Sequence, residues 1–304
     1  MTSPHLKAVV FDVGGVVCRS PLIAIADYER EHGLPNNYIN SSSRCIRTWG
    51  QPRNALSISR TGQGAHGAWQ KFERGELSLF PFYEAFGHEL SDTKVNNVWY
   101  AQYCKRRGIE CPNLPDKLAI NGRELFGRMM RDSGSFDEVV VEAIRRIRGA
   151  LKRDPAAGKW RIIALTNNFS KTGADIIAEA PPSAEQYPGL TIKSELAFLG
   201  WEEGPTPPRL RVLFDDFCDS SALGMRKPEP GIYHLACKRN GIHPSEAVFL
   251  DDLGMNLKVA QELGMETIHV PLGNSPSAIK KLEDKLGIKL TREPEPTMHP
   301  NAKL

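Results

Sequence analysis

Short apolar runs that each end at a polar residue constrain the fold of this chain more than any other feature. Three such runs cover residues 6–12, 161–165 and 247–250, and Asp12, Thr166 and Asp251 mark their ends. Their length and β-branched content predict buried strands. Helical patterns separate the runs, and strands that alternate with helices predict βαβ units. We therefore expect an α/β fold in which a parallel sheet carries helices on both faces.

The distance between the first two runs indicates an insertion. Asp12 and Thr166 lie 154 positions apart, whereas a strand–helix–strand unit needs only about 30 residues. The surplus contains no strand-like run, and we expect helices over 68–74, 80–90, 95–107 and 117–130. We predict that residues 1–19 and 131–289 form the core, that residues 20–130 form an all-helical cap, and that residues 290–304 form a loose tail.

Local signals place the remaining elements. Ser20 and Pro21 resemble an N-cap and a first helical residue, for a helix that ends near Gly33. A capping box of Ser135 and Glu138 predicts a helix that runs to about residue 153. Further helices are expected over 174–180, from the stretch 226–230 to about residue 240, from after Asp252 to about residue 263, and over 275–286. Further strands are expected over 211–214 and 266–270.

Composition excludes several classes of protein. The 304 residues include 39 Lys and Arg against 36 Asp and Glu, and this balance argues against a nucleic-acid surface. No apolar run approaches the length of a membrane span. The six cysteines lack C-x-x-C spacing, which argues against a zinc site or a redox pair. Scattered thiols without a signal peptide predict an intracellular, cytoplasmic protein.

The end of the chain resembles a targeting signal. Ala302-Lys303-Leu304 is similar to the peroxisomal S-K-L tripeptide, with alanine in place of serine. It predicts recognition by a peroxisomal import receptor, and a chance match is the equally supported alternative. The sequence does not indicate the oligomeric state.

Polar residues at the strand ends predict a single site. The carboxyl ends of parallel strands meet at one edge of a sheet, and ligands bind there near the point where the strand order reverses. Lys227, at the start of a predicted helix, adds a cation beside backbone N–H groups that favour anions. Carboxylates, a hydroxyl, an amide and a lysine suit a divalent cation and a phosphoryl group. The strand-end residues are Asp12, Thr166, Asn167, Asp251 and Asp252.

Four stretches resemble, in order and spacing, the motifs of the haloacid dehalogenase-like hydrolases. They are Phe11-Asp-Val-Gly-Gly-Val-Val17, Leu165-Thr-Asn-Asn168, Gly224-Met-Arg-Lys-Pro-Glu-Pro230 and Phe249-Leu-Asp-Asp-Leu-Gly-Met-Asn256. The fourth stretch is most similar to the branch of this family that contains the phosphatase domain of soluble epoxide hydrolase. The resemblance implies a Rossmann-like core and a Mg²⁺-dependent phosphatase that hydrolyses a small organic phosphomonoester.

The resemblance also implies a role for each residue that handles the phosphoryl group. Asp12 would be the nucleophile that forms an aspartyl-phosphate, a known reaction of carboxylates. Thr166 would bind phosphoryl oxygens, and Lys227 would neutralise charge on the nucleophile and the transferred group. Asn167 and Gly15 would contribute further phosphate contacts.

A second set of residues is implied as the metal site. Asp12, Asp252 and the carbonyl of Gly14 would hold Mg²⁺, which prefers oxygen ligands and retains several waters. Asp251 and Asn256 would hold the metal and its waters in place through hydrogen bonds.

Gly14 departs from the family pattern. Most phosphatases of the family have a second Asp two residues after the nucleophile, which protonates the leaving group and then activates water. Because such catalysis is typically worth about 10²–10⁴-fold, Gly14 raises the alternative of a catalytically degenerate binding or regulatory module. A separate alternative is a haloacid dehalogenase, which uses the same Asp nucleophile without metal and against which the carboxylate set argues.

Two other patterns have structural explanations. Residues 62–67 match G-x-G-x-x-G but follow no convincing strand, so we expect a loop rather than a dinucleotide site. A set of aromatic residues has the spacing of a helical core: Trp69, Phe72, Phe80, Phe82, Tyr83 and Phe86.

Overall fold

The computed structural model of the protein describes residues 2–42, 67–153, 160–169 and 187–291. The strands are β1 (Ala8–Phe11), β2 (Arg161–Thr166), β3 (Asp216–Asp219), β4 (Ala247–Asp251) and β5 (Glu266–His269). The helices are α1 (Pro21–Glu31), α2 (Tyr38–Ser42), α3 (Ala68–Glu73), α4 (Leu79–Ser91), α5 (Thr93–Arg107), α6 (Gly122–Ser133), α7 (Glu138–Arg153), α8 (Ile192–Leu199), α9 (Pro208–Arg211), α10 (Ser220–Leu223), α11 (Pro230–Arg239), α12 (Gly254–Glu262) and α13 (Ser275–Leu286).

All five strands form one parallel sheet in the order β3-β2-β1-β4-β5. Ala8 of β1 is paired with Arg161 of β2 on one side and with Ala247 of β4 on the other. The chain fills the β2 and β3 side first and then crosses to β4 and β5. The strand order therefore reverses between β1 and β4, which is the position where open α/β sheets bind ligands.

Alternate residues of β1 belong to two different hydrophobic cores. Val9 and Phe11 pack with residues of α7 and α13 on one face of the sheet. Ala8 and Val10 pack with residues of α11 and α12 on the other face. Because side chains alternate along a strand, a strand with two buried faces reads as a continuous apolar run. The predicted Rossmann-like parallel sheet with helices on both faces is confirmed.

Helices α1 to α6 pack into a third hydrophobic cluster, here called the cap cluster, and the described residues between 20 and 130 contain no strand. The cluster is aromatic at its centre, where the rings of Phe72 and Phe82 stack at 4.1 Å. A later part of the chain joins it, because Phe169, Leu199 and Trp201 are buried in the same cluster. The domain boundaries given above stay a prediction.

The predicted strand over 211–214 is wrong. Pro208 begins the short helix α9, and the strand lies further on, at Asp216–Asp219. Proline at the first helical position fits because its missing N–H has no helical partner there. Leu213 and Phe214 are buried by the turn that follows α9, which explains why this stretch is apolar without being a strand.

The predicted capping box is also wrong. The side chain of Asp137 caps α7, since its Oδ1 accepts hydrogen bonds from the N–H groups of Val139 and Val140 at 3.0 and 3.2 Å. Ser135 instead accepts a backbone hydrogen bond from Arg19 through its carbonyl.

Three predictions fall on residues outside the described ranges. They are the helix over 174–180, most of the glycine-rich stretch 62–67, and the terminal tripeptide 302–304. Within the described ranges, no helix combines the length and the apolarity that crossing a membrane requires.

Candidate active site

The ends of β1 and β4 bring three carboxylates together. Asp12 directly follows β1, Asp251 is the last residue of β4, and Asp252 is next in sequence. One carboxylate oxygen from each lies within 4.8 Å of the others. The N–H of Asp12 donates to the carbonyl of Leu250 at 2.9 Å, which fixes the two strand ends side by side.

Asp12 presents one carboxylate oxygen to the protein and leaves the other available. Its Oδ1 accepts hydrogen bonds from the N–H of Val13 at 2.7 Å and from Nζ of Lys227 at 2.8 Å. No described group donates to Oδ2. Burial raises the pKa of Asp12 from 3.8 to about 7; the Lys227 ammonium opposes this rise and Asp251 adds to it.

Lys227 is held between two carboxylates. Its side chain is 1% exposed, and Nζ lies 2.8 Å from Asp12 and 2.7 Å from Asp251. Burial alone lowers a lysine pKa, but the two carboxylates outweigh it and raise the pKa of Lys227 above 10.5. Asp251 in turn accepts hydrogen bonds from the N–H of Leu253 and from the amide of Asn256. Asp251 and Asn256 thus orient the lysine.

Asn167 fixes the backbone that carries Lys227. Its Oδ1 accepts from the Lys227 N–H at 2.8 Å, and its Nδ2 donates to the Lys227 carbonyl at 3.0 Å. The Asn167 side chain is therefore occupied in positioning Lys227. Thr166 is buried at the end of β2 and lines the crevice, and its hydroxyl donates to the Asn167 carbonyl at 3.3 Å.

Asp252 and Gly15 fit together closely. Gly15 has φ +85°, and a Cβ at this position would lie 2.3 Å from Oδ2 of Asp252. Only glycine adopts this conformation readily and allows such an approach. At Gly14, by contrast, a Cβ meets nothing nearer than Pro21, at 3.7 Å.

The charge of these residues suits a divalent cation. Burial, together with the charges of Asp251 and Asp12, raises the pKa of Asp252 well above 3.8 despite the nearby Lys227. No described side chain donates to the Asp252 carboxylate, although Nε2 of His269 lies 3.1 Å from the Asp252 carbonyl oxygen. Lys227 is the cation that the described residues place beside these carboxylates. Carboxylate and carbonyl oxygens are the ligands that Mg²⁺ prefers, so these residues fit a magnesium ion.

Two adjoining cavities, of about 70 and 130 Å³, open on these residues. The Asp12 cavity is lined by Asp12, Lys227, Asp252, Asn256, Trp69 and Glu73, and the Trp201 cavity by Thr166, Trp201, Phe136, Leu210 and Arg209. They share a wall of Gly14, Pro21, Met130, Asn167 and Phe169. In this shared wall, Gly14 and Asn167 follow strands β1 and β2 while Pro21 and Met130 belong to α1 and α6, so the site lies between the sheet edge and the cap cluster.

Sequence reasoning missed the cap residues that reach this site. Glu73 of α3 is buried and forms an ion pair with the equally buried Arg226, the residue before Lys227. Ser220 Oγ donates to the Glu73 carbonyl at 2.6 Å. The only signal in the sequence is a charged residue at the end of a short helix, and such residues are usually exposed.

The chain belongs to the haloacid dehalogenase-like hydrolase family. The family model of that description matches residues 6–264, a range that includes the three carboxylates, Lys227 and the helices between β1 and β2. The strand order and the position of the site at the carboxyl ends of β1 and β4 agree with this assignment.

Among curated proteins, the chain is 28% identical over 284 residues to mouse acyl-CoA dehydrogenase family member 10, a match that covers 93% of this chain and 19% of that protein. It is 43% identical over 83 residues to mouse bifunctional epoxide hydrolase 2, covering 27% and 15% of the two chains. The chain thus spans less than a fifth of either relative. A HAD family enzyme of Bacteroides thetaiotaomicron, solved with magnesium and inorganic phosphate, matches at a TM-score of 0.43 and 17% identity over 88% of this chain and 95% of that one.

Proposed function

We propose that this hydrolase is a Mg²⁺-dependent phosphatase that acts on a small organic phosphomonoester through an aspartyl-phosphate. The observation that carries the proposal is Asp12: its Oδ1 is fixed by Lys227 and Val13, while its Oδ2 accepts no hydrogen bond from the described residues. A buried carboxylate oriented in this way is a suitable nucleophile. The magnesium ion, when bound by Asp12, Asp252 and the Gly14 carbonyl, would supply charge neutralisation for the phosphoryl oxygens.

The chemistry needs two displacements at phosphorus. An oxygen of Asp12 attacks, and the bond between phosphorus and the ester oxygen breaks. The alcohol leaves with a proton taken from water, because Gly14 provides none. A second water then attacks the phosphorus and releases inorganic phosphate and the Asp12 carboxylate. Lys227 stabilises the charge in both steps, since its ammonium lies 2.8 Å from the nucleophile.

Similarity to a phosphatase also supports the proposal. The chain is 40% identical over 57 residues to D-ribitol-5-phosphate phosphatase of Bacteroides thetaiotaomicron, which covers 17% of this chain and 28% of that enzyme. A second candidate rests on Gly14: without an acid at this position the fold can bind a phosphate ligand without turning it over.

The test is hydrolysis of an aryl phosphate with Mg²⁺ or with a chelator, by the wild type and by Asp12→Asn. We expect activity only with the metal, and a loss of at least about 10³-fold in the variant. Asp284→Asn, a surface aspartate paired with Lys280, is the matched control and should keep full activity.

Each alternative has its own result. Turnover that survives Asp12→Asn would rule out the aspartyl-phosphate. Mg²⁺ binding without turnover of any phosphomonoester on a broad panel supports the binding module. Halide release from a 2-haloacid without metal supports a dehalogenase.

A further inference from the structure

Trp69 carries a polar group that its packing does not explain. The side chain is 2% exposed and lines the Asp12 cavity. Its indole N–H is buried, and no acceptor for it exists among the described residues. Leaving such a donor unpaired in a protein interior is unfavourable. Most buried donors in native proteins are paired, so this one requires an explanation.

Hydrophobic packing accounts for the ring of Trp69 but not for its nitrogen. The indole lies 5.6 to 6.0 Å from the rings of Phe82, Phe86, Phe126 and Phe169, centroid to centroid. A phenylalanine supplies the same kind of contact without burying a donor. The nitrogen is therefore best explained by an acceptor that enters the cavity.

The helix that carries Trp69, α3, is held against the segment of the core that precedes Lys227. Glu73 follows Trp69 by one helical turn, and residues at this spacing share a helix face. Glu73 pairs with Arg226, and Ser220 donates to the Glu73 carbonyl. Because Arg226 precedes Lys227, these contacts fix α3, and with it the indole, relative to the lysine.

From these observations we infer that the indole N–H of Trp69 donates a hydrogen bond to a phosphoryl oxygen of the bound phosphomonoester. This inference rests on the proposed function. The cavity contains Asp12, Lys227 and Asp252, so the ligand atoms that reach it are the oxygens of the group that Asp12 attacks. Trp69 is then a substrate-binding residue that the cap contributes to a site whose other phosphate contacts belong to the core.

The test measures the affinity of inorganic phosphate for the full chain in Mg²⁺ buffer, by titration calorimetry, for the wild type and Trp69→Phe. A hydrogen bond to a charged group is worth about 1.5–3 kcal/mol, so we expect Kd to rise by about 10- to 100-fold. Trp160→Phe is the matched control, because Trp160 is buried at the amino end of β2. It should leave Kd unchanged.

An unchanged Kd in Trp69→Phe would overturn the inference, and would mean that the N–H faces an aromatic ring. Thermal unfolding shows whether Trp69→Phe is folded. If it is not, benzothienylalanine at position 69 keeps both rings and replaces the N–H by sulfur, and the same Kd comparison applies. Phosphate binding is measured without turnover. If the wild type binds phosphate but hydrolyses no phosphomonoester, the proposed function is contradicted. The Kd comparison between the wild type and Trp69→Phe still tests the hydrogen bond from Trp69.

Discussion

The core and the cap differ in what their interiors contain. The two sheet cores are mainly aliphatic, and the buried carboxylates Asp12 and Asp251 lie at the ends of β1 and β4. The cap cluster is aromatic, with Phe72, Phe126 and Trp69 at its centre. Strand ends position charged groups with short, fixed hydrogen bonds, whereas a cluster of rings forms an apolar wall. We therefore propose that the sheet core holds the reactive groups and that the cap cluster encloses them and adds selected contacts.

Removing the core lysine is expected to have the largest effect. Lys227→Met leaves Asp251 buried without its cation, which typically costs about 3–5 kcal/mol of stability. It also removes the positive charge beside Asp12, so the pKa of that carboxyl rises further above about 7 and less nucleophile is ionised at neutral pH. We expect aryl phosphate hydrolysis to fall by at least about 10³-fold.

Lys258→Met is the control for this variant, because Lys258 is an exposed residue in an i,i+4 pair with Glu262. It should change stability by less than about 1 kcal/mol and leave turnover unaffected. Turnover of Lys227→Met within tenfold of the wild type would contradict the assignment of chemistry to the core.

Breaking the ion pair between cap and core should have an intermediate effect. Glu73→Gln leaves Arg226 buried without its carboxylate, and we expect a loss of about 3–5 kcal/mol in unfolding free energy. The double variant Glu73→Gln with Arg226→Met removes both charges and should recover most of this loss. Urea denaturation monitored by circular dichroism measures both.

Glu76→Gln provides a surface comparison, since Glu76 is half exposed in its ion pair with Arg74. An exposed pair is worth about 0–1 kcal/mol. If Glu73→Gln costs no more than Glu76→Gln, the buried pair does not fasten the cap to the core.

Substitutions at the two adjacent glycines should change the hydrolysis rate in opposite directions, and these are the smallest effects that we expect. A side chain fits at Gly14, so Gly14→Asp is expected to fold and to speed hydrolysis of alkyl phosphates by about 10- to 100-fold, through the general acid that it restores. Gly15→Ala is strained and displaces Asp252, so it should reduce activity. Steady-state kinetics on an alkyl and an aryl phosphate separate these effects, and no gain for the alkyl ester would mean that the site has its own proton donor.

The core was more predictable from sequence than the cap, for a physical reason. Asp12, Thr166 and Asp251 each follow an apolar run, so local sequence already places them at one edge of a sheet. The ion pair of Glu73 with Arg226 joins residues far apart in sequence and depends on how α3 packs on the core. The strand over 211–214 was wrong because buried turns are apolar too, and β3 carries aspartates at both of its ends.

The cap cluster is built from two separate parts of the chain, and this limits how it can be transferred to another protein. Phe169, Leu199 and Trp201 follow β2, yet they are buried among helices that precede it, and Glu195 of α8 binds both Tyr83 and Arg123. A graft of residues 20–130 onto another family member would leave this aromatic surface exposed. A chimera that exchanges specificity therefore has to carry the segment 187–201 together with residues 20–130, as two pieces of chain rather than one.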